Sequence, residues 1–537
     1  MAVAVAGVVV VVALTAGRLA GDGTPPRPPG APPEGLVVPG GPVPDGYTTL
    51  PSPVGLDVPW NWAVYVQANL WTAGGFQYAV WVAPDGAPIV GRRDGHDSRR
   101  QHGAGGWETF DLSTVPGNPL GTPTVADPHR VYAIAVDALG HVHVAGNMHS
   151  SRLRYVRSIR PHDITAWQDA GMVGADEDAV SYPTFVAGPG RTLLFFFRDG
   201  SSLGGDLLLN TLPADGGDWR RTGVVLAGRR VGAAPYPQHI HVDERGRIHV
   251  LHLWRVAAGA EGNRLISYIV SPDGGVTWEN VDGRALSTPV GLDPAAVAVT
   301  VPDDVVVVNQ GGAAVDADGR PAAAFRRRTP SGAPLPLWLV HHDGMHWQAD
   351  EVAGTERAGG RPALIAHDHG LLLVWPAEGA RPATTVVHAT EVTEGRPGSP
   401  RALLRLPVAD WEPVYDRQVL ADGQLQLLVP VAGSDAGGGG APAPGAPRDG
   451  PDAGPAAVVT YQIERLVGRR RRRHARASSA GRRAGGAAAA HRRSSLGSAR
   501  PIRTMVAPAS PMNTARCSGV QASHACARAT AWSASRP

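Results

Sequence analysis

The sequence predicts an all-β fold, a seven-bladed β-propeller with four-stranded blades, on three observations. A two-strand unit recurs seven times, with turn glycines at Gly86, Gly140, Gly190, Gly246, Gly319, Gly370 and Gly423 that stand 54, 50, 56, 73, 51 and 53 residues apart. Each unit alternates apolar and polar residues with the period of a half-buried strand. A repeat of about 50 residues holds four short strands and their turns, and such units bury their faces by stacking around a common axis.

In chain order, residues 1–20 form a signal-peptide-like segment. The apolar run from Ala2 to Gly17 is shorter than the roughly 20 residues of a spanning helix. The small residues of "GRLAG" follow it, with a cleavage position near Ala20, although no Arg or Lys precedes the run. The expectation is a secreted, extracellular protein without stable membrane insertion. Residues 21–44, with "TPPRPPGAPPEG", read as an extended Pro/Gly-rich linker.

The propeller is expected over residues 45–466. Its hairpins read "VWVAPDGAPIVG", "IAVDALGHVHVAG", "FVAGPGRTLLFFF", "IHVDERGRIHVLH", "AAVDADGRPAAAF", "LIAHDHGLLLVWP" and "QVLADGQLQLLVP". The long interval contains "SPDGGVTWEN", an Asp-box pattern through Ser271, Asp273, Gly275, Thr277 and Trp278; this is a structural turn signature rather than a catalytic motif. Trp107, Trp167, Trp219, Trp278 and Trp347 recur at comparable intervals as core or blade-edge residues. Residues 433–455 form a flexible Gly/Ala/Pro insertion, after which "AAVVTYQIERL" supplies a strand expected to close the ring against the first blade.

Residues 467–537 are an Arg-rich, low-complexity tail. All 50 basic residues of the chain are Arg; 15 of them stand from Arg469 onward, where there is no Asp or Glu, so the rest carries 35 basic against 47 acidic residues, a net −12. No aromatic residues interleave the Arg run to stack bases. The tail therefore reads as disordered, or as read-through of a GC-rich frame, and no nucleic-acid partner is expected. Both cysteines, Cys517 and Cys526, lie in it, so the body has neither a disulfide nor a cysteine-ligated metal.

Hairpin geometry points to a site. Residues equidistant from a turn face each other across an antiparallel pair. His129 and His149 each lie ten residues from Leu139, Tyr182 and Arg198 each lie eight from Gly190, and Tyr236 and Arg255 are centred on the turn at Arg245 and Gly246. Three consecutive blades should thus present His/His, Tyr/Arg and Tyr/Arg pairs at their open edges, more than packing alone requires. His141, His143, His241 and His249 alternate within strands and are expected to pack between blades or on a sheet face, whereas His239 and His252 flank the pairs as substrate contacts. The histidines permit a zinc site, but no tight H-x-x-x-H or carboxylate partner singles one out. No cofactor is identified, and a structural metal ion is left open.

"DPHRVYAIAVDALGHVHVAGNMHSSRLRYVRS", "VSYPTFVAGPGRTLLFFFRDGSSLGGD" and the later "YP…VDERGRIHVLHLWR…N…SPDGGVTW" resemble the BNR/Asp-box repeat-containing family that includes ulvan-lyase-type propeller polysaccharide lyases. The resemblance is strongest from Thr124 to Pro289, roughly a third of the chain. It implies a seven-bladed propeller that cleaves a uronate-bearing polysaccharide by β-elimination. It also implies catalytic roles for His129, His149, Tyr182 and Arg198; beside them, Arg130, Tyr236, His239, His252, Arg255 and Asn263 are expected to bind substrate. Two positions depart from the family pattern: His129-Arg130 stands where the family has H-N, and Asn263-Arg264 where it has N-H. The extra Arg either meets a further acidic group, such as a sulfate or second uronate, or marks a different substrate.

The residue types suit elimination independently. A base must remove the proton alpha to a carboxylate, an acid must protonate the leaving oxygen, and a cation must hold the developing charge. His, Tyr and Arg supply these, and the choice between His129 and Tyr182 as base depends on uronate stereochemistry. The leading expectation is therefore a secreted, monomeric lyase acting on an acidic polysaccharide. Its alternatives are a non-catalytic glycan-binding propeller and a sialidase-type hydrolase, the latter weakened because no Glu occupies a strand end near Tyr182 or Tyr236.

Overall fold

The computed structural model describes residues 35–53, 61, 63, 65–95, 106–121, 127, 129–368, 370–381, 384–408, 411–431 and 455–467. The leader, most of the linker and of the Gly-rich insertion, and nearly all of the tail lie outside these residues. Seven antiparallel sheets are present among them. Blade 1 comprises Leu70–Ala73, Phe76–Val82, Pro88–Asp94 and Glu108–Asp111; blade 2, Tyr132–Val136, Val142–Gly146, Tyr155–Ser158 and Trp167–Gln168; blade 3, Val180–Ala187, Leu193–Ser201, Gly204–Leu212 and Arg220–Ala227. The inner strands of blades 4 and 5 are each split in two, Ala234–Pro237 with His241–Val242 and Val306–Val307 with Ala313–Val315. Blade 6 runs from Ala363–His367 to Arg401–Leu406.

Each sheet is covered by its neighbours, so interior strands are apolar on both faces: all residues of Tyr132–Val136 and Val142–Gly146 are buried. Apolar clusters fill the spaces between successive sheets; one joins Ile134 and Val144 of blade 2 to Phe185, Phe195 and Trp219 of blade 3. Trp167, Trp219 and Trp278 are buried, whereas Trp107 and Trp347 pack at the margins of their clusters.

The recurring Asp and Gly of the hairpins have a common geometry. In blades 2, 4 and 5 one carboxylate oxygen of Asp137, Asp243 or Asp316 accepts from two backbone amides of its own turn, at 2.8–3.0 Å. Gly140, Gly246 and Gly319 take the left-handed conformation that closes the turn. The second oxygen of Asp137 meets His143 Nε2 at 3.2 Å, and His143 Nδ1 meets the Tyr155 hydroxyl at 2.6 Å. Blade 4 repeats this with Asp243, His249 and Tyr268. His143 and His249 are therefore structural, tying the first turn of a blade to its third strand. The turn at Ser271–Trp278 is also self-contained: Asp273 accepts from the Thr277 amide and hydroxyl, and Trp278 is buried.

Three details differ from the sequence reading. Gly86 turns between the second and third strands of its blade; the first hairpin of blade 1 is closed by Gly74 and Gly75, both at positive φ, in a tight two-residue turn without the Asp signal. The late strand Pro455–Gln462 does not pair with blade 1. It is the middle strand of the seventh sheet, between Gln424–Pro430 and the N-terminal strand Gly46–Pro53, so the ring is closed by the two ends of the propeller sequence. The last part of the presumed linker is docked rather than loose: Leu36 is buried, its carbonyl accepts from Arg405 N, and Val37 bridges Leu404 of blade 6. The joint between blades 7 and 1 carries a buried polar network in which Thr72 and Gln77 donate to Asp416 at 2.6 and 2.9 Å and Arg93 donates to Gln77 at 2.8 Å.

Convergence on the axis brings inner backbones close together. Gly312 N donates to Pro362 O at 2.7 Å, and a Cβ on Gly312 would fall 1.9 Å from the Leu364 nitrogen. Gly312→Ala is therefore expected to lower the denaturant midpoint, by the equivalent of about 1–3 kcal/mol or more. Gly223→Ala, where nothing lies within 4 Å of the new methyl, should leave it nearly unchanged. Equal midpoints for the two variants would refute the crowding argument.

Candidate active site

The end of blade 2 opposite its turn holds Asp127, His129 and His149. Tyr132 pairs with Gly146, Asn147 N donates to Val131 O just beyond this pair, and the two histidines meet past the strand ends: their rings stack at 4.2 Å between centroids and 23° between planes. Asp127 joins them. Its Oδ1 accepts from His129 Nδ1 at 2.8 Å and from the His129 amide at 3.1 Å, while its Oδ2 accepts from His149 Nδ1 at 2.8 Å. A carboxylate only accepts, so both imidazoles present an Nδ1 proton to Asp127, and in neutral His129 Nε2 is left as a lone pair. Burial opposes ionisation of Asp127, but the hydrogen bonds from both rings and the amide outweigh it and bring its pKa down to about 2. Burial lowers the His129 pKa, against the opposing hydrogen bond from Asp127. Both histidine side chains remain about a third exposed, at 37% and 34%. These three side chains are also the group among the described residues that could hold a metal ion, their ligand atoms lying within 4.8 Å of one another.

Blade 3 adds Tyr182. The pairing of Val180–Ala187 with Leu193–Ser201 is interrupted between Ser181 and Thr184, and Tyr182 takes φ +58° at this bulge. A non-glycine residue in the left-handed region is an uncommon, strained choice that re-aims its side chain. The Tyr182 ring lies edge-on to His129 at 6.0 Å and to Tyr236 at 5.9 Å. Burial raises its pKa to about 12 while the charge of Arg198 opposes the rise, so the phenol is protonated at neutral pH.

The structure corrects several expectations. The bulge shifts the register, so Arg198 pairs with Ser181 rather than Tyr182. Its side chain does not face solvent: it is 1% exposed, with its guanidinium 4.9 Å from both the Tyr182 and the Tyr236 ring centroids and Nη2 donating to Ser181 at 3.3 Å. In blade 4, Arg255 pairs with Ala234 and Tyr236 with Leu253, because the turn is centred half a residue earlier, on Arg245, which shifts the pairing by one residue, and the broken inner strand shifts it by another. Arg255 and Tyr236 still meet, Nη1 donating to the phenol oxygen at 2.8 Å. Asn263 is buried and serves Arg255, accepting from its Nε at 3.0 Å while donating to Val307 O at 2.8 Å. His252 is mid-strand and fully buried beside Trp254, its pKa pushed down to about 3 by burial; it cannot touch a substrate. His239 is buried toward the axis against Tyr415. Arg130 lies beside the histidines, its Nη1 donating to Asn147 at 3.3 Å.

Sequence reasoning missed Asp127, Tyr65, Arg361, Asn309 and Glu412. The Asp-x-His spacing carried the signal for Asp127, and counting back nine residues from Gly370 would have marked Arg361. Tyr65 precedes the first hairpin and had no partner by which to count. With these residues the mouth is a closed ring of contacts. Beyond Tyr236 and Arg255, Arg255 Nη2 donates to Asn309 Oδ1 at 2.6 Å, Arg361 Nη1 lies 3.5 Å from Asn309 O, the Arg361 guanidinium lies 4.7 Å from the Tyr65 centroid, and Tyr65 stacks on His129 at 6.1 Å. Glu412 of the blade 7 segment accepts from Arg361 Nε at 2.7 Å. A cavity of about 620 Å³ opens among the first-hairpin turns, lined by Arg245, Arg247, Asp316, Tyr415 and Arg417; none of the ten sequence-named site residues lines it. The chemistry favours the mouth with the paired histidines over this cavity.

Comparison with known proteins agrees with the architecture. Among solved structures, an ulvan lyase of polysaccharide lyase family PL25 matches with a TM-score of 0.59 at 16% identity, covering 71% of this chain and 93% of its own. The same enzyme bound to -[GlcA(1-4)Rha3S]- gives 0.58. The polysaccharide lyase Uly1 gives 0.54 at 15% identity, covering 75% of this chain and 91% of its own. No curated protein matches in sequence. The sequence model of the BNR repeat-containing family matches residues 76–354, from the second strand of blade 1 past the outer strand of blade 5 and across the histidine, tyrosine and arginine positions, and the chain belongs to that family.

Proposed function

We propose that the protein is a polysaccharide lyase that cleaves a uronate-containing acidic polysaccharide by β-elimination. The observation that carries this reading is the Asp127-held histidine pair set edge-on to a protonated tyrosine. The likeness to ulvan lyases supports the propeller scaffold, and the glucuronate ligand of one of them supports the substrate class. In this reading the proton alpha to the carboxylate passes to His129 Nε2. Its bonding electrons form the double bond to the β-carbon, the β-carbon–oxygen bond breaks, and the leaving oxygen takes the Tyr182 hydroxyl proton. Asp127 holds the tautomer that makes Nε2 basic and stabilises the imidazolium that forms. Arg198, beneath Tyr182, stabilises negative charge on the phenol oxygen as the proton leaves. We also propose that the protein is secreted through its apolar leader; the N-terminus of protein recovered from medium should then begin near Gly21, and an intact Met1 would refute it.

His129→Ala should lower the rate of unsaturated uronate formation, read by ultraviolet absorbance on ulvan and other uronate polymers, by about 10²–10⁴-fold. Binding of saturated oligosaccharide should change little; a fully active variant would exclude His129 as base. Because burial lowers the His129 pKa from its ordinary value of 6.5, the base stays neutral to lower pH, and the acid limb of kcat/KM should lie below 6.5. Asp127 raises that pKa. Asp127→Asn should therefore move the acid limb still lower while reducing kcat by at least about tenfold. An unmoved limb would mean that Asp127 does not act on the titrating group.

A further inference from the structure

Removing a proton alpha to a carboxylate adds a second negative charge to that group, so the lyase reading requires a cation at the carboxylate oxygens. The arginines named from the sequence are less well placed to meet it. Arg198 is sealed beneath two phenol rings. Arg255 directs Nε, Nη1 and Nη2 to Asn263, Tyr236 and Asn309. Arg130 turns Nη1 to Asn147, and its Nε lies 3.6 Å from Asp127 Oδ2.

Arg361 is built differently. It precedes the inner strand of blade 6, outside the stretch matched by the family. Glu412 accepts from both its Nε and its backbone amide, at 2.7 and 3.0 Å, which fixes the plane of the guanidinium. Its position over Tyr65 puts it one ring away from both reacting side chains, because Tyr65 also stacks on His129 at 6.1 Å and meets Tyr182 edge-on at 5.5 Å. The side chain keeps 18% exposure, unlike Arg198. The charge of Arg361 is felt at both His129 and Tyr182, whose pKa values it lowers. A planar fork held by a carboxylate on one edge and an aromatic face below is preorganised for a second carboxylate.

Resting on the lyase reading, we infer that Arg361 is the substrate-binding cation that receives the uronate carboxylate beside His129. The test compares binding of a glucuronate-containing tetrasaccharide and its carboxyl-reduced counterpart to the full chain by calorimetry. The wild-type protein should prefer the acid form by about tenfold or more. Arg361→Gln should bind the two forms within about twofold of each other and lose on the order of 10²-fold in kcat/KM. The double variant Arg361→Gln/Glu412→Gln, which leaves no unpaired buried carboxylate, should do the same if the single variant folds poorly, and Arg361→Lys should recover part of the preference. Retention of the full preference in both Gln variants, or a wild-type protein that does not distinguish the two oligosaccharides, overturns the inference. Absence of elimination by the wild-type protein would instead remove the lyase reading, and the binding comparison would still decide whether Arg361 takes a carboxylate.

Discussion

The pairing of Gly46–Pro53 with Pro455–Gln462 is the constraint on which the rest depends. Seven stacked sheets would leave two unpaired faces and two open edges unless the last sheet met the first. Making the seventh blade from both ends of the propeller sequence turns closure into ordinary ladder hydrogen bonding plus the burial of Tyr47 and Leu50. Closure also fixes the distance of every inner strand from the axis. That distance forces glycine at Gly312, and it brings side chains from blades 2 to 7, together with Tyr65, around one small mouth. A single blade could not assemble the ring that runs from His129 through Tyr182, Tyr236, Arg255, Asn309 and Arg361 to Tyr65.

Much of this was legible in the sequence because a turn with an Asp bonded to its own amides has to be spelled locally. The Asp and Gly of blades 2, 4 and 5 announce both the fold and its period. The meeting of His129 and His149 was legible for the same reason, since the first hairpin of blade 2 keeps one register from Val136 and Val142 to Tyr132 and Gly146. Counting failed where the backbone departs from a regular ladder. One extra residue at Tyr182 slides Arg198 onto Ser181, and the broken inner strand of blade 4 separates Tyr236 from Arg255 in register, though not in space. Burial was less legible still. Nothing local distinguishes His252, whose strand is covered on both faces, from His149, which lies past the strand end. Tyr65 and Glu412 come from segments outside any hairpin, and only the closed ring brings them to the mouth.

Electrostatically, the mouth reconciles an acidic body with the acidic ligand proposed for it. Asp127 is ionised but directed into two imidazole N–H groups, and Glu412 is directed into Arg361, so the negative side chains at the mouth are turned toward cationic or polar partners. What remains partly exposed there is the two imidazoles and the Arg361 guanidinium. The protonation states follow from the same arrangement: partial burial keeps His129 neutral, deep burial keeps Tyr182 protonated, and Arg198 below the phenol limits the cost of losing that proton.

The two ends of each hairpin answer to different demands. At the turn end blades 2, 4 and 5 are copies of one another, Asp137, Asp243 and Asp316 making the same bonds to their own amides. At the mouth end the corresponding positions vary: histidines in blade 2, Tyr/Arg pairs in blades 3 and 4, asparagine in blade 5 and arginine in blade 6. Internal symmetry in this chain is therefore recorded at one pole and erased at the other. A repeat unit recovered by self-comparison would describe the scaffold and discard the site. Conversely, the mouth-end positions at which the repeats differ coincide with the surface proposed to meet the ligand.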